Sequence, residues 1–133
     1  MFEFERVFLV KAKESLAGAD GELRSRRFNN CANRAYYACF QAAIHALIRE
    51  GVRLPGGRGR WGHDFVQAQF AGLLVNRRKI YPAQLRDTLL RVLAVRQAAD
   101  YGRELIGERQ AQRAFERASE LVNAVIAKDE ESP

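Results

Sequence analysis

The residues best suited to chemistry lie in one short run, Arg96-Gln97-Ala98-Ala99-Asp100-Tyr101-Gly102. On a helix, Arg96 and Asp100 are four residues apart and share a face. Arg96 also continues an apolar stripe formed by Leu85, Leu89 and Leu93. An arginine on such a stripe is costly to bury unless it is paired, and Asp100 is the near partner. Two readings follow. In one, Arg96 and Asp100 form a structural ion pair at the end of a core helix. In the other, Arg96 binds phosphate, whose oxygens match the planar fork of a guanidinium. Tyr36 and Tyr37, on an earlier helix, are candidates to face the same region. Their hydroxyls would donate to the bound anion or to Asp100.

Other catalytic sets are thin. His45 and His63 are the two histidines. His45 sits near the end of a helix and reads as a packing or cap-region residue. His63 follows a glycine-rich stretch and reads as a helix-start residue. The chain has no GxSxG, no HExxH, no paired Cys-x-x-Cys and no glycine-rich fingerprint opening a helix. No cofactor and no metal site are expected. The cysteines, Cys31 and Cys39, fall eight residues apart on one helix, about 12 Å along its axis. That is too far for a bridge, so they read as small buried hydrophobes.

Five helices must position these residues. The first is expected from Phe2 to Ala19, with Phe4, Val7, Phe8, Lys11, Ala12, Ser15 and Leu16 along one stripe. Gly18, Asp20 and Gly21 should end it. The second, Arg26 to Glu50, carries Ala32, Ala35, Ala38, Cys39, Ala42, Ala43 and Ala46 and reads as the longest helix in the chain. Small side chains let neighbours approach on more than one face, which suits the centre of a bundle. Gly51 should terminate it. Gly51 to Gly62 holds five glycines and a proline and reads as a loop. Its Arg53, Arg58 and Arg60 are either linker residues or phosphate contacts, and no Gly-Lys-Ser or Gly-Lys-Thr makes it a P-loop. A third, shorter helix runs from His63 to Arg78 on Phe65, Phe70, Leu73 and Leu74. A fourth runs from Pro82, placed at its first position, to Gly102. The fifth, Glu108 to Lys128, has the clearest stripe: Ala111, Ala114, Phe115, Ala118, Leu121, Val122 and Val125. Asp129 to Pro133 is expected to be a frayed acidic tail after a single domain over residues 1–128. With no strand-like alternation, the fold class is an all-α antiparallel bundle of four main helices and a shorter one.

Composition sets the frame. A chain of 133 residues fits one domain. No apolar run approaches the roughly 20 residues that span a bilayer. The N-terminus has Glu3 and Glu5 in place of a basic region, unlike a secretory signal, so the cytoplasm is the expected location. Twenty-two basic against 16 acidic residues give a net charge of +6, which favours polyanions such as nucleic acid.

The segments NRAYYACFQAAIHALI, GHDFVQAQF and above all RQAADYG resemble the HEPN family, over about Arg27 to Val125. The resemblance implies a helical bundle that pairs as a symmetric homodimer and brings two fourth-helix motifs into a shared cleft. It also implies metal-independent ribonuclease chemistry in many members, several of them toxins encoded beside a small nucleotidyltransferase. The family motif is an arginine, a polar residue, three further positions and a histidine. Arg96 and Gln97 match its start, and Tyr101 stands at the histidine. A phenol ordinarily ionises near pH 10, so it is a poor general base at neutrality, where histidine serves well. It can still hydrogen-bond phosphate.

The resulting expectation is a module that binds RNA or nucleotide phosphate through Arg96, Asp100, Tyr36, Tyr37, Asn33 and His63, beside a nucleotidyltransferase partner in a toxin–antitoxin or defence setting. One alternative is an active ribonuclease toxin in which Arg96 holds the scissile phosphate and Tyr101 or His63 assists. The other is a purely structural dimer held by the Arg96–Asp100 pair.

Overall fold

The computed structural model describes residues 6–131. Five α-helices account for most of them: α1 Val7–Arg24, α2 Phe28–Arg49, α3 His63–Gln69, α4 Thr88–Tyr101 and α5 Glu108–Glu131. Among the described residues there is no strand, as expected for an all-α bundle. The expected start of the first helix at Phe2, with Glu3, Phe4 and Glu5, lies outside the described residues.

Helix α2 is the centre. It packs against α1, α3, α4 and α5, whereas α1 and α4 each meet α5 as well. Twelve of its 22 residues are buried, including all seven of the alanine and cysteine positions that marked it in the sequence. Such small side chains allow backbones to approach closely on several sides. The fifth helix, with 24 residues, is longer than α2, so the expectation that α2 is the longest is corrected. Its length follows from one continuous stripe: Ala111, Ala114, Ala118, Leu121, Val122 and Val125 are buried, with Phe115 packed against them.

Helix α1 differs from its expected form at both the stripe and the end. Leu9, Ala12 and Ala19 are its buried residues, while Val7 is 41% exposed. Gly18 and Gly21 do not stop it. They sit inside the helix, where each costs about 1 kcal/mol relative to alanine, and packing of Ala19 on the core carries the helix past them. The true stop is at Arg26, with φ 61°. There the Arg26 N–H donates to the Leu23 carbonyl at 3.1 Å and the Arg27 N–H to the Glu22 carbonyl at 2.9 Å. These are the paired bonds of a Schellman stop. Gly51 ends α2 in the same way, as expected: its φ is 85°, and the Val52 N–H reaches the Leu47 carbonyl at 3.0 Å.

The loop from Gly51 to Gly62 contains only a short 3₁₀ turn, Pro55–Gly57. Helix α3 is expected to Arg78, but it ceases to be α-helical after Gln69 and continues as a π-helical segment, Phe70–Arg77. The Arg78 N–H bonds the Leu73 carbonyl five residues back at 2.8 Å. Phe70 and Val75, five apart, are both buried, so the wider turn keeps both on the core. The fourth helix begins at Thr88 rather than Pro82. Pro82 is extended (ψ 157°) and precedes a 3₁₀ turn at Ala83–Leu85. Leu85 is buried from that turn, and Leu89 and Val92 from α4.

The C-terminal residues depart most from expectation. Helix α5 continues to Glu131, so fraying does not begin at Asp129, which is buried. Ser132 and Pro133 lie outside the described residues. Asp129 accepts hydrogen bonds from Arg6 Nη2 (2.9 Å), His45 Nε2 (2.9 Å) and Arg49 Nη1. It thus ties the chain before α1, the end of α2 and the end of α5 together. His45 itself is fully buried, in keeping with a packing role. Burial opposes the charged carboxylate of Asp129, but the bonds from His45, Arg49 and Arg6 outweigh it and hold the group down at about 2.

A depressed carboxylate stabilises the fold fully above its ordinary pKa of 3.8, and the contribution disappears as pH falls toward about 2. Asp129→Ala should cost about 3–5 kcal/mol, because it removes the buried carboxylate on which Arg6, His45 and Arg49 converge. Urea unfolding at neutral pH measures this, and the difference between wild type and variant should shrink in acid across the same window.

Candidate functional site

The site lies where α2, α3 and α4 meet. The α2 face that does not carry alanines presents Asn33, Tyr36, Tyr37 and Phe40, at positions i, i+3, i+4 and i+7. Tyr36 is 2% exposed, and its ring stacks on Phe40 with centroids 5.8 Å apart. Tyr36 and Tyr37 meet edge to face at 5.7 Å. This aromatic platform carries two polar groups from other helices.

The first is Arg96 of α4. Its guanidinium carbon lies 5.4 Å from the Tyr36 ring centroid and 5.0 Å from that of Tyr37, a double cation–π contact. Arg96 Nε is 3.3 Å from Asp100 Oδ2, close enough for an ion pair. The contact lacks hydrogen-bond geometry, however, and the buried Nε has no hydrogen-bond partner among the described residues. The carboxylate is held from elsewhere: Asn33 Nδ2 donates to the same Asp100 oxygen at 3.3 Å. The side chains of Arg96 and Asp100 keep 18% and 26% of their surface exposed, so the pair sits at the rim of the core rather than inside it. The rings therefore hold the guanidinium in place, while its Nε has no hydrogen-bond partner among the described residues.

The second is His63, the first residue of α3. Its ring stacks on Phe40 at 4.8 Å and tilts against Tyr36 at 5.3 Å. The Tyr36 hydroxyl meets His63 Nδ1. Burial, only partly offset by the nearby Arg96 charge, pushes the Tyr36 phenol well above its usual range, so it stays protonated.

An open cleft of about 530 Å³ runs past these groups, lined by Gly62, His63, Asp64, Leu93, Arg96 and Tyr101 among others. Sequence spacing left the relation of His63 to Arg96 undetermined; both line this cleft. Asp64, in the first turn of α3 where the macrodipole favours an acid, adds one carboxylate to its wall. Tyr101 is 80% exposed at the mouth. Helix α4 stops directly after it because Gly102 turns extended (ψ 157°). A Cβ at Gly102 would lie 2.4 Å from the Ala98 carbonyl oxygen, so no other residue fits without movement.

Of the residues singled out in the sequence, Arg96, Tyr101 and His63 line the cleft; Tyr36, Tyr37 and Asp100 contact Arg96, and Asn33 bonds Asp100, without being part of that lining. One expected contact is different. The Tyr36 hydroxyl turns to His63, and Asn33 rather than a tyrosine satisfies Asp100. Phe40 was not anticipated, although its place four residues after Tyr36 in the same non-alanine stripe is a legible signal. Arg53, Arg58 and Arg60 lie exposed on the glycine-rich loop and do not line the cleft. Cys31 and Cys39 are free and buried, with burial pushing the Cys31 thiol up to about 11. Among the described residues no group of three His, Cys, Asp or Glu could hold a metal ion, and no helix is long and apolar enough to cross a membrane.

A family model described as HEPN domain matches residues 6–130, nearly the whole chain. No curated protein matches the sequence.

Because the Arg96–Asp100 contact is partly exposed and poorly aligned, Asp100→Ala should cost no more than about 1 kcal/mol. Chemical denaturation of the variant checks this. A loss of several kcal/mol would instead mark the pair as one that holds the fold.

Proposed function

The chain belongs to the HEPN domain family, and from that premise we propose that it binds the phosphate of RNA or of a nucleotide in the cleft between α3 and α4. In this reading it is the weakly cleaving or non-cleaving partner of a minimal nucleotidyltransferase, within a cytoplasmic toxin–antitoxin or defence system. The observation that carries the proposal is Arg96: a guanidinium fixed on two tyrosine rings, lining a cleft, with a buried Nε that has no hydrogen-bond partner among the described residues. The planar fork of a guanidinium matches the oxygens of a phosphate. The net charge of +6 supports a polyanionic ligand.

The other residues take supporting roles. Asn33 and Asp100 orient Arg96 from one side, and Tyr36 and Tyr37 from beneath. His63 adds a second donor. Tyr101 offers a hydroxyl to the phosphate or a ring to a base, in place of the imidazole that the family motif has at this position.

A symmetric homodimer completes the proposal. Leu90, on α4, is 50% exposed, and Leu105, just beyond its end, is 84% exposed. With Tyr101 they leave exposed apolar surface along and just beyond α4, which an isologous contact would cover. Such a contact would bring two copies of Arg96 toward one another.

A second reading, cleavage of RNA, is favoured by one observation: His63 lines the same cleft as Arg96. An imidazole near a phosphate-gripping arginine has the parts for acid–base catalysis.

Binding of a fluorescent oligoribonucleotide and of adenosine 5′-monophosphate, with RNA integrity followed in the same samples, tests both readings. Wild type should bind and leave the RNA intact. Arg96→Ala should bind roughly 10-fold to 100-fold more weakly, the loss expected for charge-assisted hydrogen bonds. Equal binding by the variant would refute the phosphate-binding role. RNA cleavage that disappears in His63→Gln would establish the second reading in its place.

A further inference from the structure

Tyr36 and His63 are joined more specifically than their shared cleft requires. The Tyr36 hydroxyl is buried with its ring, and its hydrogen-bond partner among the described residues is His63 Nδ1. A buried hydroxyl donates its proton or leaves it unpaired, and an unpaired buried donor costs about 1–3 kcal/mol. Nδ1 is the acceptor on offer. The phenol keeps its proton, since burial raises it above its usual range. With Nδ1 accepting, a neutral imidazole must carry its own proton on Nε2.

His63 is an exposed residue whose ring is nonetheless held by two aromatic contacts. It lies stacked on Phe40 at 4.8 Å with 29° between planes, and against Tyr36 at 5.3 Å. A half-turn about its bond to Cβ would replace Nδ1 with a carbon and strand the hydroxyl. The other nitrogen, Nε2, has no protein partner among the described residues, and His63 lines the cleft with Arg96.

We propose that Tyr36 is a positioning residue that fixes His63 in its Nε2–H tautomer, so that the cleft meets a phosphate ester with two sets of N–H donors and no free imidazole lone pair. The proposal rests on the phosphate-binding reading of the cleft for its ligand, but not for the tautomer itself. Both the neutral and the protonated ring then offer Nε2–H, so His63 and Arg96 together select acceptor-only oxygens. A ribose hydroxyl brought to His63 finds no lone pair on that ring to take its proton. His63 is thereby set to hold a phosphate ester rather than to activate the nucleophile that would cleave it.

Long-range ¹H–¹⁵N correlation of the histidine side chains reads the tautomer directly, with His63→Gln identifying which signals belong to His63. In ligand-free wild type at a pH where the ring is neutral, His63 should show Nε2 protonated and Nδ1 bare. In Tyr36→Phe, which keeps the ring and its stacking, the pattern should move toward a mixture of tautomers. Affinity for adenosine 5′-monophosphate should fall roughly fivefold to tenfold as the donor loses its orientation. A wild-type His63 protonated on Nδ1, or an unchanged pattern in Tyr36→Phe, overturns the proposal. The wild-type spectrum alone is decisive if the variant does not fold. If adenosine 5′-monophosphate fails to bind wild type while the tautomer is as stated, the phosphate reading fails and the positioning role of Tyr36 stands.

Discussion

The structure depends on the close approach that α2 permits. Seven alanine and cysteine side chains along this helix are buried, and α1, α3, α4 and α5 all reach it. A central helix of leucines would hold its neighbours further away and leave no common wall. Close packing on the alanine faces presses the remaining face, with Asn33, Tyr36, Tyr37 and Phe40, against α3 and α4. The aromatic platform is thus a by-product of the same sequence pattern that builds the core. The packing also explains why so short a chain can seat an arginine and a histidine from separate helices on one set of rings.

Much of this was legible because it rests on local pattern. The small-residue composition of α2, the stripe of α5 and the glycine stop at Gly51 are each written in adjacent residues. What stayed hidden depends on partners far along the chain. Arg26 as a helix stop has no local signature, since a left-handed arginine is costly and is tolerated only where the next helix must begin. The π-helical segment after Gln69 exists to keep Phe70 and Val75 on one buried face. Asp129 looks like part of an acidic tail in isolation. It is buried because Arg6, His45 and Arg49, from 80 and more residues away, converge on it.

The site divides in the same manner. Arg96, Asp100 and the tyrosines were found from helical spacing and from likeness to a family motif, and they do meet. The bond between Tyr36 and His63 could not be read, because a 12-residue glycine-rich loop, residues 51–62, separates their helices and its path is not encoded locally. The distinction between a structural ion pair and a ligand-binding arginine was also out of reach of spacing. Both predict Asp100 four residues after Arg96. The geometry bears on the choice without being legible in spacing: the guanidinium rests on two rings, and its near carboxylate is off the line of the N–H bond.

The central claim is that the Arg96 donors are held ready for an oxyanion. Its most direct measurement is the ¹⁵Nε–Hε resonance of Arg96, followed while adenosine 5′-monophosphate is added to wild type. The account predicts a saturable shift of that resonance, larger than for arginines on the exposed loop such as Arg58 and Arg60. An Arg96 resonance that stays still while the nucleotide binds, or that moves no more than those of the loop arginines, would contradict it.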